Sequence, residues 1–478
     1  MKAQLRNLFT SVFSMERQER LKVWFMSLAF FLIVGAYTIA KELKDSIFVS
    51  IVGRTWLPEV KIYSIFVLVP FILLYSRAVD KMRRYELVAF YSGIFGVISL
   101  LFTYLIGHPT IGIGNTQASP HRVFGWIFYF FVEGFSPFLV SVFWAFLNSV
   151  SKPEEAKKTY PWIIAGSKLG GMTTSGFAWI LFRFAGEGIK AHLSEAVSHQ
   201  ILMGITAILL LLVPVVIYTM MHRVSGYHLH GYEAVYKLEK KRAKEQEEEA
   251  SRGSVFTAIR DQLSGMFGGL VMFVKQPYIL GIFSLTFFFE VINAIFNYQR
   301  LGIVQSQAVS ISGVSSILYA QRFSVHFLGL VITLLGTQLL LNKLGERLCL
   351  ILIPLISGSL MFYLILSPNP QAVFIAFIGL QALNYSFAHP IKESLYIPTV
   401  KELKFKSKSW IDAFGSKLSK MTGSAFNILG DKVGPAFFMP LHVGVFIVLI
   451  GAWLFSAGWL GRRYERAIEN NEVINSVS

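Results

Sequence analysis

The chain has 478 residues, 54% hydrophobic and only 15% charged, with a mean hydropathy of +0.54. A soluble fold of this length cannot hide so much apolar surface from water, the 43 Phe exclude a disordered chain, and continuous rather than alternating apolar runs exclude a transmembrane barrel. What remains is a polytopic helical membrane protein, and the excess of 44 Lys+Arg over 28 Asp+Glu has to be explained within it.

Residues 1–22 are charged and mildly amphipathic and lack the apolar core and cleavage site of a signal peptide, so the first apolar run reads as a retained helix. At roughly 20 apolar residues per crossing, about twelve spans follow. Their approximate limits are 23–53, 60–76, 86–107, 123–149, 160–182, 201–221, 277–299, 314–341, 348–366, 371–391, 410–431 and 436–460. One long connection interrupts them, and its EKKRAKEQEEEASR run reads as a solvated or amphipathic helix. The expected organisation is a cytoplasmic N-terminal segment (1–22), a six-helix half (23–221), a cytoplasmic linker (222–276), a second six-helix half (277–461) and a cytoplasmic tail (462–478). With both termini inside, the inner segments hold about 31 Lys/Arg and the outer ones about 9, the bias that sets membrane orientation. The positive charge is thus a topology signal, and no nucleic-acid partner is expected.

Residues 166–178 read GSKLGGMTTSGFA and residues 415–427 read GSKLSKMTGSAFN, identical at eight of thirteen positions at an offset of 249. A weaker match aligns ELKDSIFVS, from Glu42, with EVINAIFNY, from Glu290, at 248. Two matches at nearly one offset imply a duplicated half, with the first span corresponding to the seventh and the fifth to the eleventh. Two parallel six-helix halves joined by a cytoplasmic linker is the major facilitator architecture, so the expected fold class is all-α, polytopic, with about twelve transmembrane helices in two pseudo-repeats.

A charge at bilayer depth costs about 2.5–3.5 kcal/mol on insertion scales, and such residues face a cavity or a partner. The candidates are Lys41, Glu42, Lys44, Asp45, Glu133, Lys168, Glu290, Arg322, Lys392, Glu393, Asp412, Lys417 and Lys420, with Asn293 beside Glu290. Several cations and few anions suit an anionic small-molecule substrate, because Lys and Arg donate charge-assisted hydrogen bonds to phosphate or carboxylate oxygens. Glu133 and Glu290 then pair with lysines when the site is empty, couple protons, or bind substrate hydroxyl and amino groups; alternatively such pairs only tie helices together. Phe131, Trp144, Phe287 and Tyr298 either stack on a base or pack. Walker A, H-E-x-x-H and G-x-S-x-G motifs are absent, the histidines lack metal-ligand spacing, and Cys349 reads as a small buried hydrophobe, so neither an enzyme nor a cofactor is expected.

Three segments resemble the bacterial and plastid ATP/ADP translocases: KELKDSIFVS (41–50) with WLPEVK (56–61), VEGFSPFLVSVFWAFLNSVSKPEEAKKTYPWIIAGS (132–167), and HPIKESLYIPTVKELKFKSKSWIDAFGSKLSKMTGSA (389–425). The resemblance implies nucleotide exchange without hydrolysis, by a monomer in the bacterial inner membrane. It places Lys44, Glu133, Glu290 and Lys392 at the family's transport-relevant charges and Lys420 at the Lys of its K-S-G-G. The sequence departs from the family in three places. IVGRTW (51–56) replaces a small-residue and acidic segment, K-S-G-G is KMTG, and the basic residue shortly after Glu290 is missing, Arg300 coming only at the end of the span. Lys44, Lys392 and Lys420 are expected to hold phosphates, with Lys168, Lys417, Asn293 and Arg322 also lining the site. Lys41, Glu42, Asp45, Glu393 and Asp412 are expected to serve coupling or gating. Two alternatives stand beside this reading: a carrier of another anionic metabolite or a lysophospholipid, and a non-transporting scaffold or sensor.

Overall fold

A computed structural model of the protein describes residues 15–151, 153–184, 194–229, 276–308, 310–367, 369–396, 398–399, 411, 415–433, 435–470, 472 and 474. These residues are almost wholly helical, with one isolated bridge between Thr399 and Ile474. In chain order the main helices are α1 (Arg17–Phe48), α2 (Leu57–Lys81), α3 (Arg84–Gly107), α4 (Val123–Glu133), α5 (Ser141–Ser149), α6 (Pro153–Phe184) and α7 (Glu195–Arg223). There follow α8 (Pro277–Gln307), α9 (Ile311–Val331), α10 (Thr337–Leu366), α11 (Pro370–Leu383), α12 (His389–Ser394), α13 (Ser416–Lys432) and α14 (Pro435–Glu469).

Among the described residues, nine helical stretches are long and apolar enough to cross a membrane, the first of which, Arg17–Leu68, runs through the first two expected spans. The fifth and eleventh expected spans are also helices, α6 and α13, but are not among the nine. The repeated motif fills both with Gly, Ser, Thr and Lys where Leu and Val would serve in a lipid-facing helix, and α13, at 17 residues, is short as well. The all-α polytopic class is therefore present. Most of the expected linker (230–275) and residues 1–14 of the N-terminal segment lie outside the described residues.

Local chemistry sets the helix ends. Ser194, Ser310 and Asn369 accept backbone N–H bonds at the starts of α7, α9 and α11, satisfying donors that have no partner within the helix. α1 closes in a wide π-type turn, Val49–Gly53, and Gly53 has a φ of +116°, which only glycine adopts without strain. The IVGRTW departure is thus the corner between α1 and α2. Residues 153–158, expected in a loop, form the start of α6, because a proline at the first helical position has its φ preset and needs no N–H partner.

The chain divides into two compact units, Met1–Ala243 with Leu301–Leu335, and Lys244–Arg300 with Gly336–Ser478. α9 therefore counts with the first unit, although it follows the linker in sequence.

Within the first unit α1 and α6 run in parallel at very close approach. A Cβ placed on Gly166 would lie 2.9 Å from the Ser27 carbonyl oxygen, and one on Gly170 2.3 Å from that of Phe31. Thr174 Oγ1 donates to the Gly35 carbonyl at 3.2 Å. The small residues of the repeated motif are thus the contact that lets two membrane helices touch backbone to backbone. Because the obstructing atom at Gly170 is backbone, Gly170→Leu is expected to cost about 1–3 kcal/mol by overpacking. Thermal unfolding in detergent reads this as a transition several degrees lower.

Candidate functional site

In the first unit the sequence places four polar groups, Glu42, Lys44, Asp45 and Ser46, in the last two turns of α1, and all are buried. Lys44, 4% exposed, sends its Nζ to Glu133 Oε1 on α4 at 2.6 Å and lies 3.4 Å from Asp45 Oδ1. The same ammonium sits 4.1 Å from the centroid of the Tyr129 ring, one turn before Glu133 on α4. A cation thus lies against two carboxylates and an aromatic face, a geometry that stabilises charge where water is scarce. The helix opens into a π turn at Ser136–Val140, just after Glu133.

Two residues earlier on α1, Glu42 is fully buried and accepts from Arg322 of α9, with Nη2 at 2.5 Å and Nε at 2.7 Å from Oε1. Tyr319, a turn before Arg322, donates to the Ile39 carbonyl at 2.8 Å. Thr38 Oγ1 is 3.1 Å from His326 Nε2. His326 in turn fills the space over Gly171, where a Cβ would lie 2.3 Å from the ring. Polar contacts thus join α9 to α1 along three successive turns. Lys168 is buried on α6, and Lys41 lies 5.6 Å from the centroid of the Tyr37 ring.

In the second unit the candidates gather on α8. Ser416 Oγ, next to Lys417 on α13, is 3.5 Å from Glu290 Oε1. Lys392 Nζ donates to Thr286 Oγ1 at 3.4 Å, one turn before Glu290. Gln381 on α11 donates to Asn293 Oδ1 at 2.7 Å, and the chain enters a second π turn, Asn384–Ala388, shortly after it. Lys417, Lys420 and Glu393 are half-buried, and Asp412 lies outside the described residues.

Lys44, Glu133 and Asp45 therefore form one cluster and Glu42 and Arg322 another. Thr286, which meets Lys392, then Glu290 and Asn293 occupy three successive turns of α8. Sequence reasoning passed over Tyr129, Tyr319, His326 and Gln381. For Tyr129 a signal existed, since a residue four before Glu133 shares its helix face. Of the aromatics considered for base stacking, Phe131 stacks on Phe95, Trp144 packs on Phe30 and Tyr160, and Phe287 packs on Phe283 and Phe288. The Tyr298 hydroxyl donates to Asp431.

A family model described as TLC ATP/ADP transporter matches residues 1–464. The chain belongs to this family. Similar curated proteins include ADP,ATP carrier protein 5 of Rickettsia typhi, 22% identical with 92% of this chain and 93% of the relative covered. ADP,ATP carrier protein 2 of Chlamydia trachomatis is 23% identical over 98% and 92%, and the chloroplastic ADP,ATP carrier protein 1 of Arabidopsis thaliana 24% over 97% and 77%. Among solved structures, a D-xylose-proton symporter matches with a TM-score of 0.59 at 13% identity, covering 92% of this chain and 96% of that one. A bacterial homologue of the human lysosomal transporter Spinster matches at 0.56 and 11%, covering 94% and 99%. At such identities these structures establish the fold, which is major facilitator-like. A member of the TLC family with this fold is a multi-pass membrane transporter.

Proposed function

We propose that this TLC family member is a secondary carrier that exchanges adenine nucleotides, or a closely related nucleotide, by alternating access and without hydrolysis. The observation that carries the reading is the pair between buried Lys44 and half-buried Glu133 at the end of a membrane helix in a chain of this family. Two opposite charges at that depth are costly to keep, and their mutual attraction offsets the cost only while they stay paired. A substrate phosphate that takes the place of Glu133 at Lys44 keeps the ammonium satisfied in the loaded carrier. Exchange requires in addition that the re-paired empty carrier does not reorient, which counterflow in proteoliposomes tests. Lys392 and Lys420 are the proposed phosphate partners on the second unit. We further propose that the protein lies in the bacterial inner membrane as a monomer with both termini cytoplasmic, as its loop Lys/Arg bias supports.

A thermal-shift panel on the detergent-purified protein tests the substrate class. ADP and ATP are expected to raise the unfolding temperature, the stabilisation reaching about 2.7 kcal/mol at a hundred times Kd. A panel of ATP, ADP, GTP, CTP, UTP and NAD that leaves the transition unmoved contradicts the reading.

A further inference from the structure

The two units repeat one another in their packing, and this revises the weaker of the two sequence matches. On the first unit Ser27 meets Gly166, Phe31 meets Gly170 and Gly35 meets Thr174, each pair separated by 139 residues. On the second unit Phe283 meets Gly415 and Val291 meets Gly423, each pair separated by 132. With the eight-in-thirteen match fixing α6 against α13 at 249, the packing pairs α1 with α8 at 256, not at 248. A shift of eight residues is a little over two helical turns and rotates a residue by about 80°, which stays within one broad apolar stripe, so an apolar-patterned alignment tolerates it. In the packing register Glu290 corresponds to Val34, and Lys44 corresponds to Arg300.

Independent features agree. The π turns at Ser136–Val140 and Asn384–Ala388 lie 248 residues apart, which aligns α4 with α11. That offset carries Tyr129 onto Phe377 and Glu133 onto Gln381. Arg300, only 1% exposed, has its guanidinium 3.8 Å from the centroid of the Phe377 ring, as Lys44 has its ammonium over Tyr129. The cation-on-aromatic arrangement is thus present in both units. Carboxylates separate them: the first unit has Asp45 beside Lys44 and Glu133 one turn after the ring, where the second has Leu301 and the neutral amide of Gln381, itself bonded to Asn293.

We propose that Arg300 is the second unit's counterpart of Lys44 and binds an anionic oxygen group, a phosphate of the substrate. A planar guanidinium offers two parallel donors to a phosphate, and an amide at the place of Glu133 leaves that position without a carboxylate to compete with the anion. Arg300 thereby supplies the cation that is missing from the positions shortly after Glu290. The assignment to a substrate phosphate rests on the nucleotide reading above; binding of an anion at Arg300 does not.

The test compares wild type with Arg300→Gln, Arg300→Lys and Gln381→Glu. Proteoliposomes read KM and kcat for ADP and ATP, and thermal shift in detergent reads ADP and inorganic pyrophosphate. Arg300→Gln is expected to raise KM at least tenfold and to remove most of the pyrophosphate shift, with Arg300→Lys restoring both within a few fold. Gln381→Glu is expected to raise KM while leaving the ligand-free unfolding temperature near that of wild type. An unchanged KM and pyrophosphate shift in Arg300→Gln overturns the proposal, as does a wild type that shows no pyrophosphate shift. Should Arg300→Gln not fold, a wild-type KM in Gln381→Glu overturns it. Wild-type liposomes that move no nucleotide remove the nucleotide reading instead, and the pyrophosphate arm still decides Arg300.

Discussion

Lys44→Ala is expected to lower kcat/KM for exchange at least tenfold, because a charge-assisted hydrogen bond in a dry site contributes about 1.5–3 kcal/mol. The substitution also removes the short contact to Glu133 and the cation beside buried Asp45. Removing one member of a buried pair costs about 3–5 kcal/mol. The two effects separate in a double variant. Lys44→Ala with Glu133→Gln removes both main charges and is expected to recover most of the lost unfolding temperature while exchange stays low. Initial uptake rates beside detergent unfolding curves read both quantities. Recovery of transport together with stability would assign Lys44 a purely architectural role.

Glu42→Ala is expected to be among the most destabilising single substitutions in the protein. Glu42 is fully buried and takes both a short Nη2 and a short Nε contact from Arg322, itself 4% exposed. Its loss leaves a buried guanidinium without its carboxylate, at a cost of about 3–5 kcal/mol. Glu42→Met combined with Arg322→Leu, which exchanges the ion pair for apolar side chains, is expected to return to within about 2 kcal/mol of wild type. Equilibrium unfolding in mixed micelles measures all three. A single variant as stable as the parent would show that the pair does not hold α9 to α1.

These pairs mark the boundary of what the sequence makes legible. The expense of charge at bilayer depth is a property of single residues, so Glu42, Lys44, Glu133 and Arg322 stand out from their apolar neighbours before any fold is known. Their partners do not, because Glu133 lies 89 residues from Lys44 and Arg322 lies 280 from Glu42. Arg322 sits beyond the linker and was grouped with the second half, yet α9 packs in the first unit, bonded to α1 through Tyr319, Arg322 and His326. The sequence located α6 and α13 at 160–182 and 410–431 although close backbone contact replaces large apolar side chains there. The slip between α1 and α8 has a geometric cause. Helix periodicity repeats about every two turns, so a short match constrains the face and not the register. The register becomes readable only from which residue each glycine touches, and with it Arg300 moves from a residue at a helix end to the counterpart of Lys44.

The most direct test of nucleotide exchange is a counterflow measurement in proteoliposomes carrying the purified protein. Labelled ADP outside is expected to enter liposomes loaded with ATP at a rate at least tenfold above that of empty ones, with no phosphate released. Entry that ignores the internal nucleotide, or no entry at all, would contradict the account.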